Sequence, residues 1–508
     1  KSLVFTMATI ALTSCVNDWL DLTPSDSIPS NSAITNYNDA KTALYGMYDG
    51  LQGNSTYTQY YASRMFYYGD VRGDDMQART QGMRSSSCYE MKYTIDDAPN
   101  MWNVQYNVLR RANRLIEAVE NNKITDAEKN QANVNNIYAQ AKSVRALVHF
   151  DLVKVYGMPY SFDNGASMGV PIVTTPIDPL NANAIPGRNT VAEVYTQIVK
   201  DLTEAIDSKA LNVSKSAGDN QGFIDEWAAK ALLTRVYIYM GKNQEALDMA
   251  KNIIENSPYS LWTKAQYANA WDKNNANHIN EMIFELVNSG SDDWADREGI
   301  AYLYHEDGYA DAICTKSFVD MLAQDPSDVR LDVILPVQLK TDDNGKPTDM
   351  YKTYGDNRIF INKFPMGSLG DMRLNNLPIL RLSEVYLNAA EAAAKLNDKT
   401  STAKYLNEII KNRTDDTKQL VTESTATLER VLLERRKELV GEGQRFFDAM
   451  RNNETVTRYT NEDEKGWHYS INKESQVFDR TYFRTILPIP VSETNANPTL
   501  KAQQNPGY

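Results

Sequence analysis

Apolar residues recur along this chain at the 3.6-residue spacing of an α-helix, in segments that come two by two. Residues 36–51 place Ala40, Leu44, Met47, Tyr48 and Leu51 on one face, and residues 102–119 match them with Trp102, Tyr106, Leu109 and Ile116. Asn113 falls on that second apolar face, where an amide is expected to be buried and hydrogen-bonded. A helix over 137–156 is followed by one that starts at Thr190. There Thr190-Val-Ala-Glu193 forms a capping box, and Val191, Val194, Tyr195, Ile198 and Leu202 make a continuous stripe. Between 227 and 258, Leu233, Tyr237, Ala246, Ala250 and Pro258 stand at tetratricopeptide (TPR) spacings, with Thr234 in place of the usual glycine. The first helix of this pair ends at Gly241 and the second covers 244–255. A last pair, 380–396 and 401–411, carries Ala389, Ala390, Ala392, Ala393 and Ala394, small enough for helices to approach closely. These pairs outnumber the roughly three repeats that a solenoid needs to bury a core. The expected fold is mainly α: a TPR-like, helix-pair superhelical scaffold with long loop insertions and a few short strands or hairpins.

The insertions cover 53–100, 259–378 and 453–486, and segments of that length inside a compact fold usually carry function. The first contains Tyr67-Tyr-Gly-Asp-Val-Arg-Gly-Asp-Asp-Met76, followed by Arg79 and Arg84. Its aspartates make either a self-paired structural turn or a set of ligand contacts. The second holds Trp271, Trp294, Tyr302, Tyr304 and Tyr309 outside the clean helical repeats. Trp294 lies in Ser-Gly-Ser-Asp-Asp-Trp-Ala-Asp, too polar for a core segment, so it is a folded-back loop anchor or an exposed platform. Trp271, Trp102 and Trp227 are expected to pack inside. Asp342-Asp-Asn-Gly345 has the Asn-Gly signal of a hairpin turn and lacks the later ligands of a calcium loop.

Sugars offer flat C–H faces rimmed by hydroxyls. A protein meets them with aromatic rings beside planar polar groups, which is the make-up of these two insertions. The chain is rich in tyrosine, with 30 among 508 residues. Its net charge of −13 and lack of a basic run exclude nucleic acid as a partner. None of the four histidines stands at metal-ligand spacing, so no metal or other cofactor is expected. The G-x-S-x-G, P-loop, HExxH and dinucleotide-binding signatures are all missing, and adjacent carboxylates such as Asp74-Asp75 or Asp292-Asp293 do not define an opposed catalytic couple. The chain reads as a binding protein, not an enzyme.

Near the start, one lysine and the apolar run 3–12 precede Leu12-Thr13-Ser14-Cys15. The run is too short to span a bilayer but suits a signal peptide, and its end matches a bacterial lipobox. The expectation is a signal peptide over 1–14, acylation at Cys15 that holds the protein to membrane lipid, and a tether over 15–32. A single globular unit would then fill 33–508, with an N-terminal part over 33–260 and a C-terminal part over 261–508. Cys88 and Cys314 could form a disulfide or stay as two buried thiols, with the thiols favoured.

Residues 428–452, LERVLLERRKELVGEGQRFFDAMRN, contain the most patterned charges in the chain. Leu428, Val431, Leu432 and Leu439 form an apolar stripe with Arg435 in its middle, where a carboxylate must meet the guanidinium. Gly441 and Gly443 break the helix, and Phe446, Phe447 and Arg451 begin another. The chain then ends in Ile486-Leu-Pro-Ile-Pro490 and Gln504-Asn-Pro-Gly-Tyr508. Glu434, Arg435, Arg436, Glu438, Leu439, Gly441 to Arg445, Asp448 and Arg451, with those two endings, resemble the SusD/RagB family of outer-membrane nutrient-binding lipoproteins. The resemblance implies a cell-surface protein that captures glycan and delivers it to a SusC-like TonB-dependent transporter. A RagB-type peptide or glycopeptide binder with the same partner, and a TPR-like assembly adaptor, are the alternatives. It also implies Asp75 and Arg79 as ligand contacts, and these join Trp294, Tyr302, Tyr304 and Tyr309 as the expected site.

Overall fold

The computed structural model describes residues 33–53, 60–79, 84–176, 186–289, 298–305, 308–334, 359–365, 370–459, 468 and 471–508. The signal-peptide and tether segments, Cys15, the Asn-Gly turn at 342–345 and Trp294 lie outside them.

Eight helices form the scaffold: α1 (Tyr37–Gln52), α2 (Trp102–Glu120), α3 (Gln131–Tyr156), α4 (Val191–Asp207), α5 (Glu226–Met240), α6 (Asn243–Asn256), α7 (Leu382–Lys395) and α8 (Lys399–Lys411). Each packs on its successor, and α6 meets α7 although the second insertion lies between them. The alanines of α7 make this possible, since Ala389, Ala390, Ala392 and Ala393 are all fully buried. Both side chains of the Thr190–Glu193 capping box are in place at the start of α4, worth about 1 kcal/mol. α3 begins six residues before the apolar pattern does, because Gln131 to Asn136 form largely exposed polar turns with little stripe to read. Strand β4 takes Leu377–Arg381, so α7 starts at Leu382 and not at 380.

Trp102, Trp227 and Trp271 are buried as expected. Asn113 is also internal: its amide donates to the Val173 carbonyl at 2.9 Å and its oxygen accepts from Arg145 at 3.0 Å. Cys88 and Cys314 are free and buried.

Short antiparallel ladders tie the insertions down. β1 (Met76–Ala78) pairs with β3 (Ala312–Cys314), joining the first insertion to the second. β2 (Met282–Leu286) pairs with β4, closing the second insertion on itself. β5 (Val456–Thr457) pairs with β6 (Val477–Phe478) in the third. The chain end acts as a further fastening. Asn505 donates to the carbonyls of Tyr156 and Leu487 at 2.9 and 2.6 Å, and the Tyr508 hydroxyl donates to Ile486 at 3.0 Å.

Candidate functional site

The site is built from residues 428–452 outward. Helix α9 (Leu428–Leu439), a glycine turn and helix α10 (Arg445–Arg451) send charged side chains in three directions. Toward α7, Arg435 donates to Asn388 at 2.7 Å and to Asp448 at 3.1 Å, while Arg451 pairs with Glu391 and Asp448. Toward the second insertion, buried Glu438 accepts from Arg381 at 2.7 Å and Arg413 at 2.8 Å, and Glu281 meets the same two arginines. Lys363 reaches Glu442 and the Glu438 carbonyl. Toward the first insertion, Arg445 holds Asp74 at 2.7 Å and Arg436 holds Asp75. Burial alone would push Glu438 toward the neutral form, but Arg413 and Arg381 outweigh it and keep the carboxyl well below its ordinary range.

The glycine turn adds one more link. Gly443 donates its N–H to Asp70 at 3.0 Å, and the Tyr304 hydroxyl donates to the same Asp70 oxygen at 2.8 Å. Asp70 is buried, and that desolvation raises its pKa to about 8 despite both donors. Gly443 has φ +73°, and a Cβ there would lie 2.6 Å from the Met65 carbonyl oxygen. The turn therefore presses directly on the short helix Arg64–Asp70 of the first insertion.

Two expected ligand contacts are thereby withdrawn. Asp75 is only 2% exposed and engaged by Arg436, so its charge is used inside the protein. Tyr304 is fully buried, with its hydroxyl on Asp70 and its ring 6.1 Å from Phe364, making it an internal anchor. Both correct the sequence expectation, and for the same reason: the glycine-turn region recruits them.

What this clamp presents to solvent is a small aromatic shelf. The Arg79 N–H donates to the Asp311 carbonyl at 2.8 Å, extending the β1–β3 ladder. The half-buried rings of Tyr302 and Tyr309 lie 5.9 Å apart, tilted by 43°. The Arg84 guanidinium stacks 3.8 Å over Tyr309 and makes a two-pronged pair with Glu298. That hydrogen-bonded pairing raises the Arg84 pKa and fixes the guanidinium plane. Arg79, Arg84, Tyr302 and Tyr309 are thus brought to one region. Glu298 and Asp311, both buried, were not expected there, and no local sequence pattern distinguishes them from the other acids of the insertions. Rings and planar charges side by side suit C–H faces and hydroxyls; nothing in the set offers an activated nucleophile. Among the described residues no group of His, Cys, Asp and Glu could hold a metal ion, and no helix is long and apolar enough to cross a membrane.

A helical-repeat scaffold thus carries, on its insertions, a surface of aromatic and charged side chains. Residues 200–508 match the SusD family, and residues 18–238 match a family described as starch-binding, associating with the outer membrane. The chain belongs to the SusD family. A SusD superfamily protein of Bacteroides thetaiotaomicron is 38% identical, covers 93% of this chain and 100% of its own, and superposes with a TM-score of 0.79. Another, from Bacteroides vulgatus, is 32% identical with a TM-score of 0.80, covering 94% of this chain and 100% of its own. A SusD-like protein of Formosa agariphila aligns over 100% of this chain and 99% of its own length at 23% identity.

Proposed function

We propose that this protein is a cell-surface glycan-binding lipoprotein that captures oligosaccharide and passes it to a SusC-like TonB-dependent transporter. The observation that carries the proposal is the shelf itself: Tyr302 and Tyr309 beside Arg84 and Glu298, on insertions locked by buried ion pairs. A rigid platform keeps the ordering cost of binding low, which matters for a ligand that gains little per contact. Arg79, whose backbone N–H is bound to Asp311, enters the proposal as a further ligand contact, and Trp294 as a further platform on sequence grounds alone. Family kinship supports a carbohydrate cargo, since one SusD-like relative of solved structure binds laminarin and another from Bacteroides vulgatus is a carbohydrate-binding protein. Acylation of Cys15 would hold the protein at the outer membrane, and a scaffold face would meet the transporter.

Native affinity gels cast with starch, laminarin and a panel of plant, host and microbial glycans test the cargo. The expected result is retarded migration on at least one glycan, lost in Tyr309→Ala and in Tyr302→Ala. Migration unaltered on every glycan, together with peptide recovered from the purified protein, would replace glycan by peptide. For the anchor, Cys15→Ala is expected to move the protein from membrane to soluble fractions; retention at the membrane would exclude lipidation there.

A further inference from the structure

A cavity of about 240 Å³ opens at the C-terminal half of α1, and none of its lining residues belongs to the shelf. Tyr45, Asp49 and Gln52 of α1 line it together with Gly222, Phe223 and Val287. Its rim is unusually apolar for a surface: Tyr45 and Val287 are each 47% exposed. Tyr45 points off the apolar stripe of α1, so packing of the helix does not require a ring there. It tilts 43° to Phe223 at 5.9 Å, and Phe223 is held edge-on by Tyr48 at 5.2 Å. Tyr48 itself is committed to the interior, donating to Gln140 at 2.7 Å and accepting from the Ile224 N–H at 2.9 Å. The two rings are therefore a fixed pair and not a collapsed surface cluster.

Polar groups stand at the edge in the arrangement a sugar needs. The Asp49 side chain is 56% exposed, with an Arg111 nitrogen 3.5 Å from its carboxylate. Gln52 is oriented by its donation to Asn288 at 2.7 Å. Asn288 in turn donates through Nδ2 to the Asn375 carbonyl at 2.6 Å and through its N–H to the Asn376 side-chain oxygen at 3.1 Å. That asparagine pair directly follows the 3₁₀ turn Met372–Leu374, which packs on the short helix carrying Tyr302. Hydrogen bonds from Gln52 to the asparagine pair, and packing from there, thus connect the cavity to the shelf.

We propose that this cavity is a second sugar subsite, taking a pyranose residue against the joined faces of Tyr45 and Phe223 with its hydroxyls on Asp49 and Gln52. The volume lies below the roughly 300 Å³ lower bound for drug-sized ligands, which suits a single sugar ring. Gly222 keeps the floor open: a Cβ there would come within 3.3 Å of Val287. The proposal rests on the glycan-binding reading and adds that the protein engages an extended chain at two places, so longer oligosaccharides bind more tightly than short ones.

The test is isothermal titration of the wild type, Tyr45→Ala and Gly222→Leu with starch or laminarin, whichever the gels retain, and with its size-fractionated oligosaccharides. Tyr45→Ala removes an exposed ring and Gly222→Leu fills the cavity, so folding of at least one variant is secure and is checked by circular dichroism. Both variants should weaken binding of the longer fragments about tenfold, the worth of one aromatic contact, and leave the shortest bound fragment unaffected. Equal affinity of wild type and both variants for every fragment would overturn the subsite and leave the shelf standing. If the wild type binds none of these glycans, the functional reading falls and the subsite with it.

Discussion

Arg435 is 2% exposed, yet it occupies a helix position that sequence periodicity assigns to an aliphatic residue. Its guanidinium is tolerable only because Asp448 and Asn388 meet it and Glu391 lies 3.7 Å away. Arg435→Leu fits the stripe by hydropathy but leaves two buried carboxylates with Arg451 as their remaining close arginine. The loss expected is about 3–5 kcal/mol, measured as a lowered urea midpoint, with affinity of the surviving folded fraction for glycan unchanged. A stable variant that no longer binds would place Arg435 in the site instead. This residue was legible because a charge inside an apolar stripe demands a partner. Asp75 was not. Its partner Arg436 is 361 positions away, and an acidic loop reads the same whether its charges are paired inside or offered outside. Tyr304 misled for a similar reason, since one loop tyrosine cannot be told from the next until Asp70 is seen beneath it. Tyr45 carries the opposite signal: an aromatic off the apolar stripe of α1, where helix packing does not require a ring.

At the scale of elements, the helix pairs follow from local rules, and the ladders do not. Caps, stripes and alanine runs specify α1 to α8 within a few residues. β1 and β3 are three-residue strands brought together from two insertions, and no periodicity can be read from so short a stretch. The element that decides the site is the turn between α9 and α10. Gly443 needs a left-handed φ and room for the Met65 carbonyl, so Gly443→Ala meets both obstacles at once. The expected cost is about 2–3 kcal/mol, read from chemical denaturation. Glycan retardation should also fall, because the turn spaces the Asp70–Tyr304 link under the shelf. A denaturation midpoint equal to wild type would mean that the turn yields without disturbing the insertion, and the clamp model would fail.

Over the described residues, the main hydrophobic core is crossed by ion pairs that bind α7 and the first and second insertions to residues 428–452. Such a design couples stability to pH in two opposite ways. Glu438, Glu391 and Glu434 are all held down by arginines, Glu434 to about 2. A depressed carboxylate stabilises the fold above its unfolded pKa near 4.5 and loses that contribution as pH falls toward the folded value. Asp70 runs the other way. Its folded pKa of about 8 exceeds the ordinary 3.8, so the unfolded chain ionises first and stability declines as pH climbs between them. The unfolding free energy is therefore expected to rise steeply with pH through the acid range, then sag toward pH 8. Asp70→Asn should remove the sag while leaving the acid limb in place, since Asn keeps an oxygen for Gly443 and Tyr304 without the charge. Urea titrations across this range for both proteins give the comparison. An identical decline toward pH 8 in the variant would show that Asp70 is already ionised in the fold. In that case the Tyr304–Gly443 link would carry a buried negative charge at neutral pH, held by its two donors and by Lys363.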